Sequence, residues 1–264
     1  MNIIVCLKRV PDTGARLEIE KGGLEIKPDV PWILNPFDEF AVEEAIRIRE
    51  RFGGKVTLIN ASPDGGEEVL KKGIATGADD AVYVKDTHLR GLDEIDIAKV
   101  LSSAISGMAF DIILCGKQGT DSGSGIVGGA LAGLLNIPLV SAIKKLDIFP
   151  KEKRAEAFRE VEWGTERIEC FLPALFTATR GLNEPRYPAL SGIMKAKKQE
   201  IKFLDLSAIG IDTVSFLNSR INSRIKRKGL SYPLLKRKRV ILDGDTRGEV
   251  REAIRFLKDE VKIL

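Results

Sequence analysis

Histidine is almost absent from this chain, because His88 is the only one among 264 residues. It lies beside a predicted loop, and a Ser-His-Asp triad or a histidine-rich metal site would depend on it alone. The three cysteines, Cys6, Cys115 and Cys170, are far apart in separate apolar runs, which indicates buried thiols rather than disulfides or metal ligands. The sequence also has no Walker A motif, which argues against ATP hydrolysis of that type. We therefore predict no catalytic residues and no metal site.

Aromatic residues make up only 6% of the chain, which is few for the stacking surface that binds single-stranded nucleic acid. No apolar run approaches the roughly 20 residues that a membrane-spanning helix needs. The N-terminus begins directly as a predicted strand, without a basic leader or a cleavage site, so we expect no signal peptide. We expect a cytoplasmic protein that neither inserts into a membrane nor binds nucleic acid.

Positive charge is concentrated in the C-terminal third of the chain. Residues 195–239 contain 13 Lys or Arg against 3 Asp or Glu, whereas the whole chain has a net charge of +4. Such a segment fits an acidic partner surface, nucleic acid or a solvated basic tail. The low aromatic content makes nucleic acid the weakest of the three, and the other two interpretations remain open at this point.

Apolar runs that are typical of buried strands alternate with single helical patterns over the first 140 residues. The strands show little polar alternation, as expected when both faces of a parallel sheet are covered. Single helices between strands imply right-handed crossovers. We therefore predict an α/β fold with a Rossmann-like, doubly wound, mostly parallel sheet. The predicted strands are 2–7, 55–60, 81–84, 111–115 and 138–140, and the predicted helices are 35–53, 66–75, 93–106 and 123–135.

The pattern changes after residue 141. Residues 155–162 and 166–171 alternate around a Trp-Gly-Thr turn, which predicts an antiparallel hairpin, and residues 173–178 return as a strand. From residue 181 we expect an extended or irregular chain until a helical pattern at 248–258. Because long structureless segments are unusual inside compact domains, we predict that residues 181–246 form an arm lying on another subunit.

Polar and small residues follow the predicted strands at their carboxyl ends, where open α/β sheets bind ligands. The motif Asn35-Pro-Phe-Asp38 predicts a helix start, with Asn35 as the cap and the proline at the first helical position. The same motif is also a candidate rim for a bound base, with Phe37 available to contact a ring. Lys8 and Arg9 follow the first strand and are candidates for contact with phosphates or with a partner's acidic groups.

The segment Gly116–Gly129 joins a predicted strand to a predicted helix, and its Gly123, Gly125 and Gly128 spell G-x-G-x-x-G. Small residues let backbone N–H groups approach an anion, and a helix N-terminus favours phosphate. We interpret this segment as a nucleotide phosphate loop, with a flexible turn and close helix packing as the alternative. Asp121 is a candidate either to cap the helix or to bind a ribose hydroxyl group.

The segment 180–198 (RGLNEPRYPALSGIMKAKK) is predicted to be neither a helix nor a strand, because Pro185 and Pro188 forbid a regular element there. Leu190 and Ile193 are apolar residues in polar surroundings. We expect this segment to meet something outside its own domain.

Together these segments resemble the beta subunits of electron transfer flavoproteins, the FixA-like group. The matching pieces follow the family's order over residues 1–200, and the longest is Leu182–Tyr187 followed by Ile193–Lys198. The other matching pieces are Cys6–Thr13, Asn35–Ala45, Gly77–Asp79, Gly116–Gln118 with Asp121, and Leu172–Ala174.

The resemblance implies an alpha/beta heterodimer that carries electrons, on an adenine nucleotide alpha-hydrolase-like fold. The alpha subunit would hold most of the FAD, and this chain would hold AMP in a simple electron shuttle or a second FAD in a bifurcating member. This chain alone would then be an electron carrier subunit and not an enzyme, with bifurcating activity arising only with the alpha subunit. The residues that would line the nucleotide site are Cys6, Asn35, Pro36, Phe37, Asp38, Ala61, Gly116, Gln118, Asp121, Ser122, Gly123, Ser124, Gly125, Ile126 and Val127.

The resemblance also implies a loop that docks partner dehydrogenases, with Leu190 as the apolar anchor beside Arg186, Tyr187 and Ile193. The implied partners are acyl-CoA or other dehydrogenases and a quinone oxidoreductase or similar acceptor. The implied division is a nucleotide-binding domain (1–180), a recognition loop (181–200) and an arm with a helix against the alpha subunit (201–264).

Two features depart from the family's pattern. After Asp121 the segment 122–129 is Ser-Gly-Ser-Gly-Ile-Val-Gly-Gly, where the family usually carries Thr, Asn or Gln, so phosphate contacts would come mainly from backbone N–H groups. Residues 205–246 also match poorly. A stand-alone adenine-nucleotide sensor of the same fold, without flavin, is the alternative function. A weaker one is a nucleic-acid binder that uses residues 195–239.

Overall fold

The computed structural model describes residues 1–20, 23, 26–27, 29–219, 228–232, 241–242 and 244–261. The strands are β1 (Asn2–Cys6), β2 (Arg9–Pro11), β3 (Trp32–Leu34), β4 (Lys55–Ser62), β5 (Asp80–Lys85), β6 (Ile112–Gly116), β7 (Leu139–Phe149), β8 (Arg154–Val161), β9 (Gly164–Phe171), β10 (Ala174–Ala178) and β11 (Lys202–Leu204). The α-helices are α1 (Pro36–Phe52), α2 (Gly66–Thr76), α3 (Glu94–Ser106), α4 (Ile126–Leu135), α5 (Leu190–Lys198), α6 (Thr213–Ser219) and α7 (Thr246–Phe256).

One large sheet has the strand order β11-β5-β4-β1-β6-β10-β7-β8-β9. The pairs from β11 to β7 are parallel, and β7, β8 and β9 pair antiparallel. The strands β2 and β3 form a separate antiparallel pair. The mostly parallel, doubly wound sheet and the antiparallel hairpin over 155–171 are therefore confirmed.

Helices cover both faces of the parallel part of the sheet. Alternate residues of β1 point to opposite faces, so that Ile3 and Val5 pack with α1 and α2, whereas Ile4 and Cys6 pack with α3 and α4. This two-sided burial explains why the central strands have continuous apolar sequences. Glycines end two of the helices as predicted, with Gly53 after α1 and Gly77 after α2.

The prediction that the chain is irregular from residue 181 is wrong over much of this region. Pro185 and Pro188 precede α5, and nothing in the following Leu190–Lys198 opposes a helix. Ala196 of α5 is buried in the same apolar cluster as α2, and β11 pairs in parallel with β5 at the edge of the sheet. These residues therefore pack on their own domain.

The rest of the predicted arm is described only in part. The helix α7 confirms the helical pattern expected at 248–258, although it begins two residues earlier. Residues 220–227, 233–240 and 243, which carry most of the basic charge predicted to lie on a partner, fall outside the described residues. Contact between this region and another subunit stays a prediction.

The packing of α5 against α2 gives a stability test at Gly192. A Cβ atom at this position would clash with the carbonyl oxygen of Ala75 in α2, so Gly192→Ala has to move α5 away from the domain. We expect the free energy of unfolding, measured by urea denaturation, to fall by about 1–3 kcal/mol. Gly133→Ala in α4 is the matched control, because a Cβ there meets nothing within 4 Å and alanine favours a helix. Equal stability of the two variants would contradict the α5–α2 contact.

Candidate functional site

The carboxyl ends of β4, β1 and β6 lie side by side at one edge of the sheet. The chain leaves β1 and β4 through α1 and α2 on one face, and it leaves β5 and β6 through α3 and α4 on the other. The direction of winding therefore reverses between β1 and β6. Such a switch point is where open α/β sheets form a ligand crevice.

The buried carboxylate of Asp38 joins the elements that meet at this edge. Its Oδ2 accepts a hydrogen bond from the backbone N–H of Lys8 at 2.7 Å, just after β1. Its Oδ1 accepts from the N–H of Gly116 at the end of β6 and from Asn35 Nδ2, both at 2.9 Å. Burial raises the pKa of Asp38 to about 7, although these hydrogen bonds act in the opposite direction. The first turn of α1 is thus tied to two neighbouring strands.

Asn35 occupies the N-cap position of α1, but its side chain does not cap the helix. Its Nδ2 also donates to the carbonyl oxygen of Gln118 at 2.9 Å, and its Oδ1 accepts from the N–H of Thr120 at 3.2 Å. The predicted side-chain cap is wrong because these partners, more than 80 residues away, engage the amide instead. Pro36 does stand at the start of the helix, as predicted. Asn35 therefore fixes the loop after β6 against α1.

Residues 117–125 form the loop between β6 and α4, which begins three residues later than predicted. Gly123 and Gly125 have φ angles of +64° and +62°, a left-handed conformation that glycine adopts without strain. Gly125 is the N-cap of α4, and no side chain caps this helix. The suggestion that Asp121 caps it is therefore wrong. The carboxylate of Asp121 instead lies 2.7 Å from Lys8 Nζ.

Gly128, the last glycine of the G-x-G-x-x-G pattern, has a different role. It lies in the first turn of α4, where a Cβ atom would be 2.7 Å from Thr177 Cγ2 and 3.1 Å from Cys115 Sγ. Close helix packing, the alternative interpretation of the glycine pattern, explains this residue. Gly123 and Gly125, in contrast, shape the exposed loop.

Two observations at this edge fit a polar ligand. Thr120 Oγ1 is buried and has no hydrogen-bond partner within the described part of the chain, which is unfavourable unless a ligand or water supplies one. The neighbouring loop from Asp121 to Gly125 is exposed. The serine hydroxyl groups of this loop offer few donors to a ligand, and those of Ser122 and Ser124 lie 3.4 Å apart. Backbone N–H groups are therefore the main hydrogen-bond donors of the loop.

The remaining predicted site residues lie at the same edge, and Cys6 is the most deeply buried of them. Cys6 pairs in register with Cys115 and packs with α3 and α4. Burial, with a smaller contribution from Asp38, raises the pKa of the Cys6 thiol to about 12, so this thiol stays protonated at neutral pH. The partly buried members are Pro36, Phe37, Ala61, Gly116, Gln118, Ile126 and Val127.

Neither Thr120 nor Asn60 was among the predicted site residues. Asn60 Nδ2 donates to the carbonyl oxygen of Leu7 at 2.8 Å and holds the ends of β4 and β1 together. The sequence feature that could have identified Asn60 is its position as a polar residue at the end of the apolar run 55–60. Thr120 had a weaker signal, since it stands between the predicted residues Gln118 and Asp121.

Arg9 was a candidate for phosphate contact, but its side chain is engaged elsewhere. Its guanidinium lies 4.8 Å from the ring centroid of Trp32, and its Nη2 is 3.1 Å from Glu68 Oε2. Its Nη1 is 3.8 Å from Asp64 Oδ1. Lys8 is therefore the better-placed cation at the loop.

The predicted docking residues lie close together in the chain but in two environments. Tyr187 and Leu190 are 96% and 77% exposed, and Ile193 and Met194 of α5 are also exposed. We call these four residues the apolar patch. Arg186, in contrast, is bonded to Glu43 and Glu50 of α1. Exposed apolar side chains in such a group are typical of interaction sites.

The described residues contain no group of three or more His, Cys, Asp or Glu side chains that could hold a metal ion. Among the helices of the described ranges, none is long and apolar enough to cross a membrane.

The raised pKa of Asp38 predicts a pH-dependent contribution to stability. Because its pKa rises from 3.8 to about 7 on folding, the contribution is full below 3.8 and is lost as the pH rises through about 7. We expect the free energy of unfolding of the wild type, relative to Asp38→Asn, to fall by roughly 1.4 kcal/mol per pH unit between pH 5 and 7. Urea denaturation at several pH values measures this difference. A difference that does not change with pH would contradict the assignment.

Comparison with known proteins agrees with this fold. Residues 24–209 match the family model of the electron transfer flavoprotein domain. The chain is 37% identical over 265 residues to the electron transfer flavoprotein subunit beta of Bacillus subtilis (strain 168), covering 100% of both chains. It is 42% identical over 214 residues to the subunit beta of Thermoanaerobacterium thermosaccharolyticum, covering 80% of this chain and 81% of that one. It is 32% identical over 252 residues to the protein FixA of Azotobacter vinelandii, covering 93% and 90%. The chain therefore belongs to the electron transfer flavoprotein family, among the beta subunits.

Proposed function

We propose that this beta subunit binds an adenine nucleotide, AMP or a second FAD, at the carboxyl ends of β4, β1 and β6. The observation that carries the proposal is the loop 117–125, which Asn35 holds at the switch point and which leads into α4 without a side-chain cap. The uncapped N–H groups and the dipole of a helix N-terminus favour phosphate. The unpartnered Thr120 Oγ1 within the loop gives further support.

Each part of this edge has a proposed role toward the nucleotide. Backbone N–H groups at the start of α4 would bind phosphate, and Lys8 at the loop would add positive charge. Asp121 would accept a hydrogen bond from a ribose hydroxyl group, and Phe37 would contact the base at the rim. Asp38 and Asn35 would not need to touch the ligand, because their hydrogen bonds already hold the loop and the strand ends in place.

The residues of this chain would bind and orient rather than react. Burial raises the pKa of both Cys6 and Cys115, which makes these thiols poor nucleophiles. His88 lies in the turn after β5, with its Nδ1 2.7 Å from Asp86 Oδ1. We therefore propose an electron carrier subunit. FAD bound in the heterodimer supplies the redox chemistry, and any bifurcating activity would belong to the complex.

We also propose that residues 201–264 contact the alpha subunit. The helix α7 has no buried residue, and its Val250 and Ile254, four residues apart on one face, are both exposed. A helix with such an apolar face is normally covered by another surface. The boundaries at residues 180 and 200 and the cytoplasmic location stay predictions.

The apolar patch is the proposed docking site for partner dehydrogenases, with acyl-CoA dehydrogenases and a quinone oxidoreductase or similar acceptor as candidates. Leu190 begins α5, and Ile193 and Met194 follow it at helical spacing on the exposed side. A small apolar contact at the centre of an interface can carry most of its affinity. Such a contact suits a carrier that docks briefly and repeatedly.

Nucleotide content tests the first proposal directly. The chain is co-expressed with a candidate alpha subunit, and the nucleotides of the purified complex are released with acid and quantified. We expect one FAD plus either one AMP or a second FAD per heterodimer, since this chain contributes one site. One FAD with no other adenine nucleotide would remove the proposed site. A lone chain that binds AMP or ATP without forming a complex would favour the alternative of a nucleotide sensor.

Two loop variants locate the nucleotide within the same experiment. Gly125→Ala should lower the retained nucleotide, because alanine is strained by about 1–2 kcal/mol at this positive φ and shifts the start of α4. Ser122→Ala, three residues away on the same loop, should retain it because the backbone supplies the main donors. Equal nucleotide content in the two variants would place the ligand elsewhere.

Leu190→Ala tests the docking role. We expect electron transfer between the heterodimer and a dehydrogenase to slow about ten- to a hundredfold, since burying a leucine side chain contributes about 1.5–3 kcal/mol. The flavin content should not change, because Leu190 is exposed and remote in sequence from the loop at residues 117–125. Stopped-flow reduction of the heterodimer measures the rate. Unaltered transfer, or loss of flavin, would count against docking at this residue.

A further inference from the structure

The stretch that precedes the apolar patch lies across the side of α1 that faces away from the sheet. Asn183 Nδ2 donates to the backbone carbonyl of Phe40 at 3.0 Å and to Glu44 Oε2 at 2.9 Å. Arg47 Nη2 donates to the carbonyl oxygen of Glu184 at 3.3 Å. This stretch, residues 182–186, is therefore fastened to a helix by polar contacts.

Arg186 makes the most extensive of these contacts. Its Nε donates to Glu43 Oε2 at 2.8 Å, and its Nη2 reaches Glu43 Oε1 at 3.2 Å. Its Nη1 and Nη2 also donate to the two carboxylate oxygens of Glu50, at 2.6 and 3.0 Å. Two forked contacts of this kind are the strongest arrangement that a guanidinium makes with carboxylates. We call Arg186, Glu43 and Glu50 the arginine clamp.

The charges within the clamp compensate one another. The side chain of Glu43 is only 2% exposed although it is a carboxylate on the outer side of a helix. Burial on its own raises the pKa of Glu43, but hydrogen bonds from Arg186 and Arg47 lower it below the ordinary value. The same carboxylates raise the pKa of Arg186. A guanidinium that makes four such contacts has few N–H groups left to donate to a partner protein.

We propose that Arg186 is a positioning residue for docking. It acts through Glu43 and Glu50 to hold Tyr187 and Leu190 in place, and it does not itself contact the partner dehydrogenase. This inference rests on the proposed docking role of the apolar patch. It replaces the expectation from the sequence that Arg186 is one of the docking contacts.

The two roles of Arg186 predict opposite effects of removing a partner carboxylate. If Arg186 bound an acidic group of the dehydrogenase directly, Glu50→Gln would free its guanidinium and strengthen docking or leave it unchanged. If Arg186 acts through the clamp, Glu50→Gln has to weaken docking, as Arg186→Gln does. The side chain of Glu50 is 49% exposed, so this substitution is mild for folding.

The experiment uses the purified heterodimer and an acyl-CoA dehydrogenase that reduces the wild type in the presence of its acyl-CoA substrate. The variants are Glu50→Gln, Arg186→Gln, the double variant and Leu190→Ala. Glu67→Gln is the matched control, because Glu67 is also 49% exposed and pairs with Lys71 on α2. KM and kcat for the heterodimer are measured, together with FAD content and hydrogen exchange of the amides in residues 182–190.

We expect Glu50→Gln and Arg186→Gln each to raise KM about tenfold, the scale of a charge-assisted contact. The double variant should be no worse than Arg186→Gln, because both changes open the same clamp. Hydrogen exchange at residues 182–190 should accelerate in all three clamp variants, whereas their kcat and FAD content should stay at the wild-type level. The control variant Glu67→Gln should match the wild type in every measurement.

Three results would overturn the proposal. A rise in KM with Arg186→Gln but not with Glu50→Gln would show direct contact with the partner. A wild-type KM in both clamp variants, with a raised KM in Leu190→Ala, would rule out the positioning role of the clamp but would support docking at the apolar patch. A wild-type KM in Leu190→Ala would rule out docking at the apolar patch, and the positioning role of Arg186 depends on that docking.

Discussion

The hydrogen bonds to the buried carboxylate of Asp38 are the constraint on which the candidate site depends. A single side chain joins the first turn of α1 to the ends of β1 and β6, through the N–H groups of Lys8 and Gly116. Burial works against the charge of this carboxylate, whereas its three donors favour it. Gly116 belongs to the same arrangement, because a Cβ atom there would clash with Asp38 Oδ1 and contact Phe37 Cβ at 2.7 Å. The switch point of the sheet is thus fixed by close contacts that leave little freedom to the residues beneath the loop.

The helix α1 extends this constraint to the segment that precedes the apolar patch. Its first turn holds the strand ends and, through Asn35, the loop 117–125. Farther along, Glu43, Glu44 and Glu50 hold residues 183–186, which precede the apolar patch. Acidic side chains on a helix that is covered on both sides are unfavourable unless they are paired, and the 183–186 stretch supplies those pairs. One helix therefore positions both the proposed nucleotide edge and the proposed docking segment.

The local parts of this arrangement could be predicted from the sequence, and the long-range parts could not. Proline after Asn35 and glycine at 53 bound α1 correctly, and the apolar runs gave the parallel sheet, because these signals act within one element. The side chain of Asn35 could not be placed, since its partners Gln118 and Thr120 are more than 80 residues away. Glu43 and Arg47 are four residues apart on α1, a spacing that places them on one face, and their side chains pair at 2.6 Å. The burial of Glu43 depends on Arg186, which is 143 residues distant, and for the same reason the packing of α5 was missed.

The carboxyl ends of the strands combine buried hydrogen bonds that are costly to break with an exposed ion pair that is easily broken. The Asp38 contacts are buried, and breaking a buried charged hydrogen bond costs more than the bond contributes, because it leaves a group unsatisfied. The pair between Lys8 Nζ and Asp121 is partly exposed, at 45% and 26% of the two side chains, and such pairs contribute about 1 kcal/mol or less. An anionic ligand that took Lys8 from Asp121 would therefore lose little of its binding energy. With strand ends already fixed by buried contacts, little further ordering would be needed for the proposed binding through backbone N–H groups.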